Sequence, residues 1–221
     1  MKKTKKWGII VAKVVFFLIK KAFFMVKDRI TEDDIQREKA SIPQFLCEKN
    51  ALYIEETAAK KHRPSAYRSL VGLRLLGTLT EELGICPSIL RDENGRPYFK
   101  DMPHLDFNIS HSNSMVACAV CLSSEPPPRV GIDCEEIYGK DPTLLAERYF
   151  TEKERSCVLS AENKAYAFTE IWTKKEACLK HLGTGLSRSP KSFDTLETEL
   201  HFETFEKENN IVTLCYDIRL K

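Results

Sequence analysis

The sequence lacks a marked excess of charge of either sign. Its 221 residues carry 34 Lys and Arg against 32 Asp and Glu, which gives a formal net charge of +2. A protein that coats nucleic acid through its phosphates needs a strongly basic surface. We therefore expect no nucleic-acid partner, although a local basic pocket remains compatible with this balance.

Cysteine is too sparse for a scaffold stapled by disulfides. The eight cysteines are spread from Cys47 to Cys215, which predicts free thiols in a reducing compartment and a cytoplasmic protein. Cys118 and Cys121 suggest zinc, but three-residue spacing in a strand points them to opposite faces. No second Cys or His pair follows at a zinc-finger distance, so we interpret them as core residues.

The amino-terminal segment has no long apolar run. Its longest one, Val14–Ile19, is far shorter than the roughly 20 residues of a membrane-spanning helix, and no small-x-small cleavage motif follows. The preferred interpretation is a buried first strand, because residues 14–17 are β-branched or aromatic. A surface helix with lysines every seven residues (Lys6, Lys13, Lys20 and Lys27) and a targeting segment remain alternatives. Membrane contact is not expected.

What the chain does have is the composition of a globular protein, with 43% apolar residues. We predict two helices over residues 31–62 separated by Pro43, and an amphipathic helix over 66–83 ended by Gly84. The pattern then predicts a hairpin turning at Asn94-Gly95 and a buried strand over 115–122. The Pro-rich stretch 123–129 divides the chain into halves, 1–127 and 128–221. The second half is predicted to contain a strand over 130–134, helices over 142–159 and 163–182, and closing strands.

Three short stretches could carry chemistry. On a strand, Asp133 and Glu135 share one face, where a hard cation such as magnesium would relieve their repulsion, although a solvated strand face explains D-x-E as well. Glu176 and Lys180 are neighbours on a helix face that also carries Trp172, and an ordinary ion pair is the alternative. His111 lies between two serines at a strand end, where it could bind a phosphate or simply form a turn. No G-x-S-x-G turn supports a serine hydrolase.

Taken in order, these stretches resemble the 4′-phosphopantetheinyl transferases of the longer, surfactin-synthetase-activating type. The resemblance is carried by five motifs between residues 94 and 186, and the helix over 66–76 is also similar. The motifs are Asn94-Gly95-Arg96-Pro97, residues 107–112 (FNISHS), residues 131–135 (GIDCE), residues 150–154 (FTEKE) and the W-x-x-K-E-A-x-x-K-x-x-G-x-G pattern of residues 172–185. Residues 1–55 match no motif of the family.

The resemblance implies an α+β fold of two similar halves, each a small antiparallel sheet on a long helix, related by a pseudo-twofold axis with the site between them. It implies transfer of the phosphopantetheine arm of coenzyme A, a co-substrate, to a serine of an apo acyl or peptidyl carrier protein, with magnesium and release of 3′,5′-ADP. A monomer of the holo-[acyl-carrier-protein] synthase type is expected.

The resemblance also implies roles for individual residues. The metal would be held by Asp133, Glu135 and Glu176, and Glu176 would deprotonate the acceptor serine directly or through water. Catalysis would further involve Lys180 and His111. The coenzyme A contacts would be Arg68, Ser69, Arg96, Ser110, His111 and Lys180, with Lys60, Lys61 and Arg63 as further phosphate partners. Two alternatives remain, a coenzyme A- or nucleotide-binding regulator without turnover and a membrane-surface interaction protein.

Overall fold

The computed structural model describes residues 18–25, 30–60, 62–122, 129–184 and 188–217. Within them the chain forms an α+β fold with two three-stranded antiparallel sheets and one two-stranded hairpin. The helices are α1 (Glu32–Ala40), α2 (Gln44–Ala58), α3 (Arg63–Glu82), α4 (Thr143–Tyr149), α5 (Glu152–Ser160) and α6 (Lys164–Leu182). The strands are β1 (Leu18–Met25), β2 (Ile89–Arg91), β3 (Pro97–Phe99), β4 (Leu105–His111), β5 (Met115–Leu122), β6 (Val130–Glu136), β7 (His201–Lys207) and β8 (Asn210–Tyr216).

Strand β5 is the buried centre of the molecule. It pairs with β1 and β4 in the sheet order β1-β5-β4. One of its faces, including Val116 and Cys118, packs in the core that α3 covers. The opposite face, including Ala117 and Cys121, packs against β6 and β8. This arrangement confirms the buried strand over 115–122 and the placement of Cys118 and Cys121 on opposite faces, and all eight cysteines are free thiols.

The two halves share one connectivity. Among the described residues of each half, a strand is followed by helices and then by an antiparallel pair of strands, the last of which pairs with the first. The β2–β3 hairpin is an addition in the amino-terminal half. The resulting sheet orders are β1-β5-β4 and β6-β8-β7. An α+β fold with small antiparallel sheets is thereby confirmed, while the pseudo-twofold axis stays a prediction. Residues 123–128 of the proposed junction lie outside the described residues.

The ends of the helices follow the predicted signals. Thr31 and Asp34 form a capping box at the start of α1, and Pro43 precedes α2. Beyond α3 and α6, Gly84 and Gly183 have φ angles of +68° and +72°, which glycine adopts without steric cost. The predicted helical stretch over 142–159 is two helices, because Phe150 is extended and Thr151 caps α5.

The described part of the amino-terminal segment contains a strand, in which Lys21 and Met25 are exposed. Residues 18–25 form β1, which pairs antiparallel with β5. The surface-helix alternative is therefore wrong for this segment, although Val14–Phe17 lie outside the described residues. Lys21 donates to Glu203 on β7 at 2.9 Å. In the part of the chain given above, no helix combines the length and the apolar character needed to cross a membrane.

A row of side chains on β4 joins the two halves. Asp106 accepts a hydrogen bond from the backbone nitrogen of Val130, and Asn108 accepts one from Ile132, both at 2.9 Å. The next residue on the same face, Ser110, donates to a carboxylate oxygen of Asp133 at 2.8 Å. We call this row, Asp106, Asn108 and Ser110, the β4–β6 ladder. It brings the two polar motifs of the sequence into direct contact.

Candidate active site

Gly131 allows β6 to lie directly against α6. A Cβ atom at this position would lie 1.9 Å from the carbonyl oxygen of Ala177, so only glycine permits the approach. Alternate residues of a strand share a face, and Asp133 therefore points toward α6 as Gly131 does. Ile132 and Cys134 occupy the opposite face and pack in the core with β5 and β8. The strand thus presents its acidic face to the helix that carries Glu176 and Lys180.

Asp133 is the centre of the site. It is only 3% exposed, and its Oδ1 atom accepts from Lys180 Nζ at 2.6 Å and from Ser110 Oγ at 2.8 Å. Lys180 also donates to Ser110 Oγ at 2.7 Å and to the carbonyl oxygen of Ile132 at 3.2 Å. Burial opposes the charge on Lys180, but Asp133 outweighs it and raises the pKa of the ammonium group. A phosphate that binds Lys180 would have to replace one of these three hydrogen-bond partners of the ammonium group.

Two glutamates lie within the electrostatic influence of Asp133. Burial and then the charge of Asp133 raise the pKa of Glu135 to about 7. The same two causes raise the pKa of Glu176 above its ordinary value. Carboxylates that disfavour each other's ionisation are a common feature of catalytic and metal-binding sites. A bound cation would remove this repulsion.

The carboxylates of the site fit a magnesium ion that the protein coordinates only in part. The Oδ2 atom of Asp133 is buried and has no hydrogen-bond partner, which is costly unless a ligand satisfies it. Across the described ranges, no group of three or more His, Cys, Asp and Glu side chains is arranged to hold a metal by itself. Magnesium usually takes one or two carboxylates and completes its shell with water and phosphate oxygens. Asp133 with one of the two glutamates meets that requirement.

A basic group lies beside the carboxylates. Partial burial and then the charges of Arg68, Lys180 and Lys60 lower the pKa of His111. Lys60 donates to Ser69 at 2.9 Å, and burial lowers its own pKa. Arg68 donates to the carbonyl oxygen of Asn113 at 3.1 Å, while its Nε atom is buried without a partner. The charges of Arg68, Lys180 and Lys60 that act on His111 mark a place where an anion would be stabilised.

Comparison with known proteins agrees with this geometry. Residues 129–216 match the family model of the 4′-phosphopantetheinyl transferase superfamily. The chain is 34% identical over 139 residues to the 4′-phosphopantetheinyl transferase Sfp of Bacillus subtilis, covering 60% of this chain and 59% of that protein. It is 37% identical over 134 residues to psf-1 of Bacillus pumilus, covering 58% and 55%. It is 28% identical over 191 residues to pptA of Paxillus involutus, covering 74% and 73%.

The chain is similar to this superfamily over its carboxy-terminal part. The resemblance stated from the motifs is confirmed. The matched residues contain the strands β6, β7 and β8 and the helices α4, α5 and α6. The chain spans less than two thirds of the length of the bacterial relatives given above.

Arg96, expected to line the coenzyme A pocket of a phosphopantetheinyl transferase, is used inside the protein. Its guanidinium is buried and donates to Asp106 at 2.6 Å and to the carbonyl oxygen of Val130 at 3.0 Å. It also donates to the carbonyl oxygen of Lys180 near the end of α6. These contacts connect β3, β4, β6 and α6. A contact between Arg96 and coenzyme A stays a prediction.

The transferase motif on α6 divides between packing and chemistry. Trp172 packs in an aromatic cluster with Tyr149, Phe150 and Phe168. Lys175 is fully buried and bonds the equally buried Glu154 at 2.7 Å. Their neighbour Glu176 belongs to the acidic site. The sequence analysis predicted no role for Lys175. The available signal was an acidic residue in the FTEKE motif, Glu154, that could pair with a basic residue of the α6 motif.

Arg63 and Lys61 are the other residues expected to bind phosphate. Arg63 is exposed and faces Glu32 at 3.6 Å, so it is available at the surface at the start of α3. Lys61 lies outside the described residues. Asn108 and Asp106, which sequence reasoning did not select, hold β6 in place through the β4–β6 ladder.

Proposed function

We propose that this chain transfers the 4′-phosphopantetheine arm of coenzyme A to the hydroxyl of a serine in an apo acyl or peptidyl carrier protein. The proposal rests on the contacts of buried Asp133 with Lys180 and Ser110. It is supported by the charge of Asp133 acting on Glu135 and Glu176, and by the charges of Arg68 and Lys60 acting on His111. A site with an acidic part for a cation and a basic part for phosphates suits a diphosphate substrate. The names of the relatives support the same activity.

In the proposed reaction, the serine oxygen forms a bond to the phosphorus that carries the pantetheine arm. The anhydride bond to the second phosphorus breaks, and 3′,5′-ADP leaves with the electron pair. Asp133 with Glu135 or Glu176 would hold magnesium, which supplies charge neutralisation on the diphosphate when it is bound. Lys180, His111 and Arg68 would orient the phosphates, since phosphoryl transfer depends on positioning and electrostatics.

Glu176 is the proposed acceptor of the serine proton. A carboxylate with an ordinary pKa is a weak base at neutral pH, and burial beside Asp133 raises that of Glu176. This favours Glu176 over an exposed glutamate for the role. Because the acidic and basic groups come from both halves of one chain, we further propose that the protein acts as a monomer, of the longer surfactin-synthetase-activating type.

Mass spectrometry of an apo carrier protein incubated with this chain, coenzyme A and magnesium tests the proposal. We expect the carrier to gain one phosphopantetheine, excess chelator to prevent the gain, and magnesium or manganese to restore it. Asp133→Ala should lower turnover by at least about 10²-fold in protein that circular dichroism shows to be folded. Coenzyme A binding without any transfer to fatty-acid, polyketide or peptide carriers would instead support a regulator. Restored activity on mixing Asp133→Ala with Lys180→Ala would show that subunits share the site.

A further inference from the structure

The side chain of Asn210, at the start of β8, reaches from one half of the protein into the other. It is fully buried, and its Oδ1 atom accepts from Ser112 Oγ at 2.7 Å and lies 3.5 Å from Ser114 Oγ. Its Nδ2 atom donates to Ser114 Oγ at 3.2 Å and to the carbonyl oxygen of Glu208 at 2.9 Å. All the capacity of this amide is therefore spent on its own hairpin and on one loop of the amino-terminal half.

That loop, residues 112–114 between β4 and β5, adjoins the basic side of the candidate site. Ser112 Oγ also accepts from the backbone nitrogen of Met115 at 3.1 Å, which closes the turn on itself. On the other side of the turn, the carbonyl oxygen of Asn113 accepts from Arg68 at 3.1 Å. The loop thus lies between the Asn210 amide and the Arg68 guanidinium, and it directly follows His111, the last residue of β4.

We propose that Asn210 is a positioning residue, which fixes the 112–114 loop so that the adjoining His111 and Arg68 face a phosphate group of the co-substrate. This inference rests on the proposed function, since it takes coenzyme A as the ligand. Asn210 contacts neither the carboxylates nor Lys180 in the described hydrogen bonds. Its side chain reaches the basic groups through the loop, and its remaining bond, to the Glu208 carbonyl, stays within its own hairpin.

The physical reason lies in the number of bonds that the loop shares with Asn210. Without the amide, Ser112 and Ser114 lose their partner in the β7–β8 hairpin. The loop keeps the two bonds between Ser112 and Met115 and the bond from Arg68. A ligand would then have to order the loop when it binds, and this cost weakens affinity. Arg68 loses a fixed acceptor at the same time, so both cations become less well oriented.

The test compares coenzyme A binding by calorimetry for the full chain and three variants. Asn210→Ala and Ser112→Ala remove the two ends of the same contact, and Thr204→Val is the matched control. Thr204 lies on the same hairpin and bonds Thr213 at 3.0 Å, away from the loop. We expect the dissociation constant to rise at least fivefold for the first two variants, which is about 1 kcal/mol. The double variant should bind no more weakly than the weaker single one.

The pKa of His111, measured by NMR without ligand, gives a second readout that general destabilisation does not move. In the intact chain, partial burial and Arg68, Lys180 and Lys60 hold this pKa below its ordinary value. In Asn210→Ala and Ser112→Ala it should rise toward about 6.5, and in Thr204→Val it should not change. If Asn210→Ala does not fold, the Ser112→Ala variant still allows this test.

Two results would overturn the inference while leaving the proposed function intact. One is unchanged coenzyme A affinity in a folded Ser112→Ala or Asn210→Ala protein. The other is an equal loss in Thr204→Val, which would indicate a general effect of the hairpin. Failure of the intact chain to bind coenzyme A at all would contradict the proposed function instead, and the NMR measurement would still decide whether Asn210 positions His111.

Discussion

Replacing Lys175 by methionine should destabilise the fold strongly, because it leaves a buried carboxylate without its cation. Lys175 Nζ lies 2.7 Å from Glu154 Oε2, and both side chains have 0% exposure. The ammonium group also donates to the carbonyl oxygens of Pro190 and Phe193, each at 2.7 Å. Lys175→Met fills the space but removes the charge and all three bonds.

The expected loss follows from what Glu154 keeps. Breaking a buried ion pair by removing one partner costs about 3–5 kcal/mol. Glu154 still accepts from the backbone nitrogen and hydroxyl of Thr195, at 2.8 and 2.9 Å, so we expect the lower end of that range. At about 2–4 °C per kcal/mol for a chain of this size, the melting temperature should fall by roughly 6–12 °C.

Thermal melts and urea titrations of four variants test this reasoning. Glu154→Gln alone leaves a buried ammonium, and the double variant Lys175→Met with Glu154→Gln removes both charges. The double variant should be more stable than Lys175→Met alone, with a coupling of about 1–3 kcal/mol. The control is Lys174→Met, whose pair with Glu170 at 2.6 Å is partly exposed and should contribute below about 1 kcal/mol. Equal stability of Lys174→Met and Lys175→Met would refute the assignment.

Three further outcomes are expected. Gly131→Ala should lose about 1–3 kcal/mol or more in urea titration because its Cβ would lie 1.9 Å from the Ala177 carbonyl, whereas Gly139→Ala meets nothing within 4 Å and should be neutral; equal stabilities would contradict the close approach. The pKa of His111 should rise when coenzyme A binds, because the phosphate favours the charged ring, and an NMR titration showing no change would remove His111 from the anion site. The affinity for magnesium should increase several-fold from pH 6 to pH 8, since Glu135, with a pKa of about 7, must lose its proton before a cation binds, and calorimetry giving a flat profile would exclude Glu135 as a ligand.

The elements of the fold were predictable where local signals were strong. Residues 115–122 read as a buried strand because apolar residues fill both faces, and β5 lies between α3 and the second sheet. Caps and glycines set helix ends through short-range bonding, as at Thr31 and Gly183. The grouping of Asp133, Glu135 and Glu176 as metal ligands is implied by the resemblance and stays a prediction. The structure adds that burial and the charge of Asp133 raise the pKa of both glutamates.

What the sequence could not supply depends on contacts between distant segments. The polar residues Asp106, Asn108 and Ser110 alternate with apolar ones, a pattern that usually indicates a strand with one face in water. In this protein that polar face is buried, because it hydrogen-bonds another strand. Arg96 and Lys175 were equally ambiguous, since a basic residue next to a motif can bind a substrate or an internal carboxylate with the same chemistry.

The β4–β6 ladder also decides which residue of β6 stands at the centre of the site. Neighbouring β4 side chains point in opposite directions, so a shift of one residue would bring Phe107 and Ile109 against the β6 backbone, and a shift of two would bring Gly131 or Glu135 to Ser110. Arg96 fixes the register at the far end by bonding both Asp106 and the Val130 carbonyl. Arg96 thus helps to determine that Asp133 is the residue that meets Lys180. Its guanidinium lies two positions along the β4–β6 ladder and does not contact Asp133. Replacing the Arg96–Asp106 pair would therefore change the alignment of Asp133 and its neighbouring glutamates without altering any of these three residues.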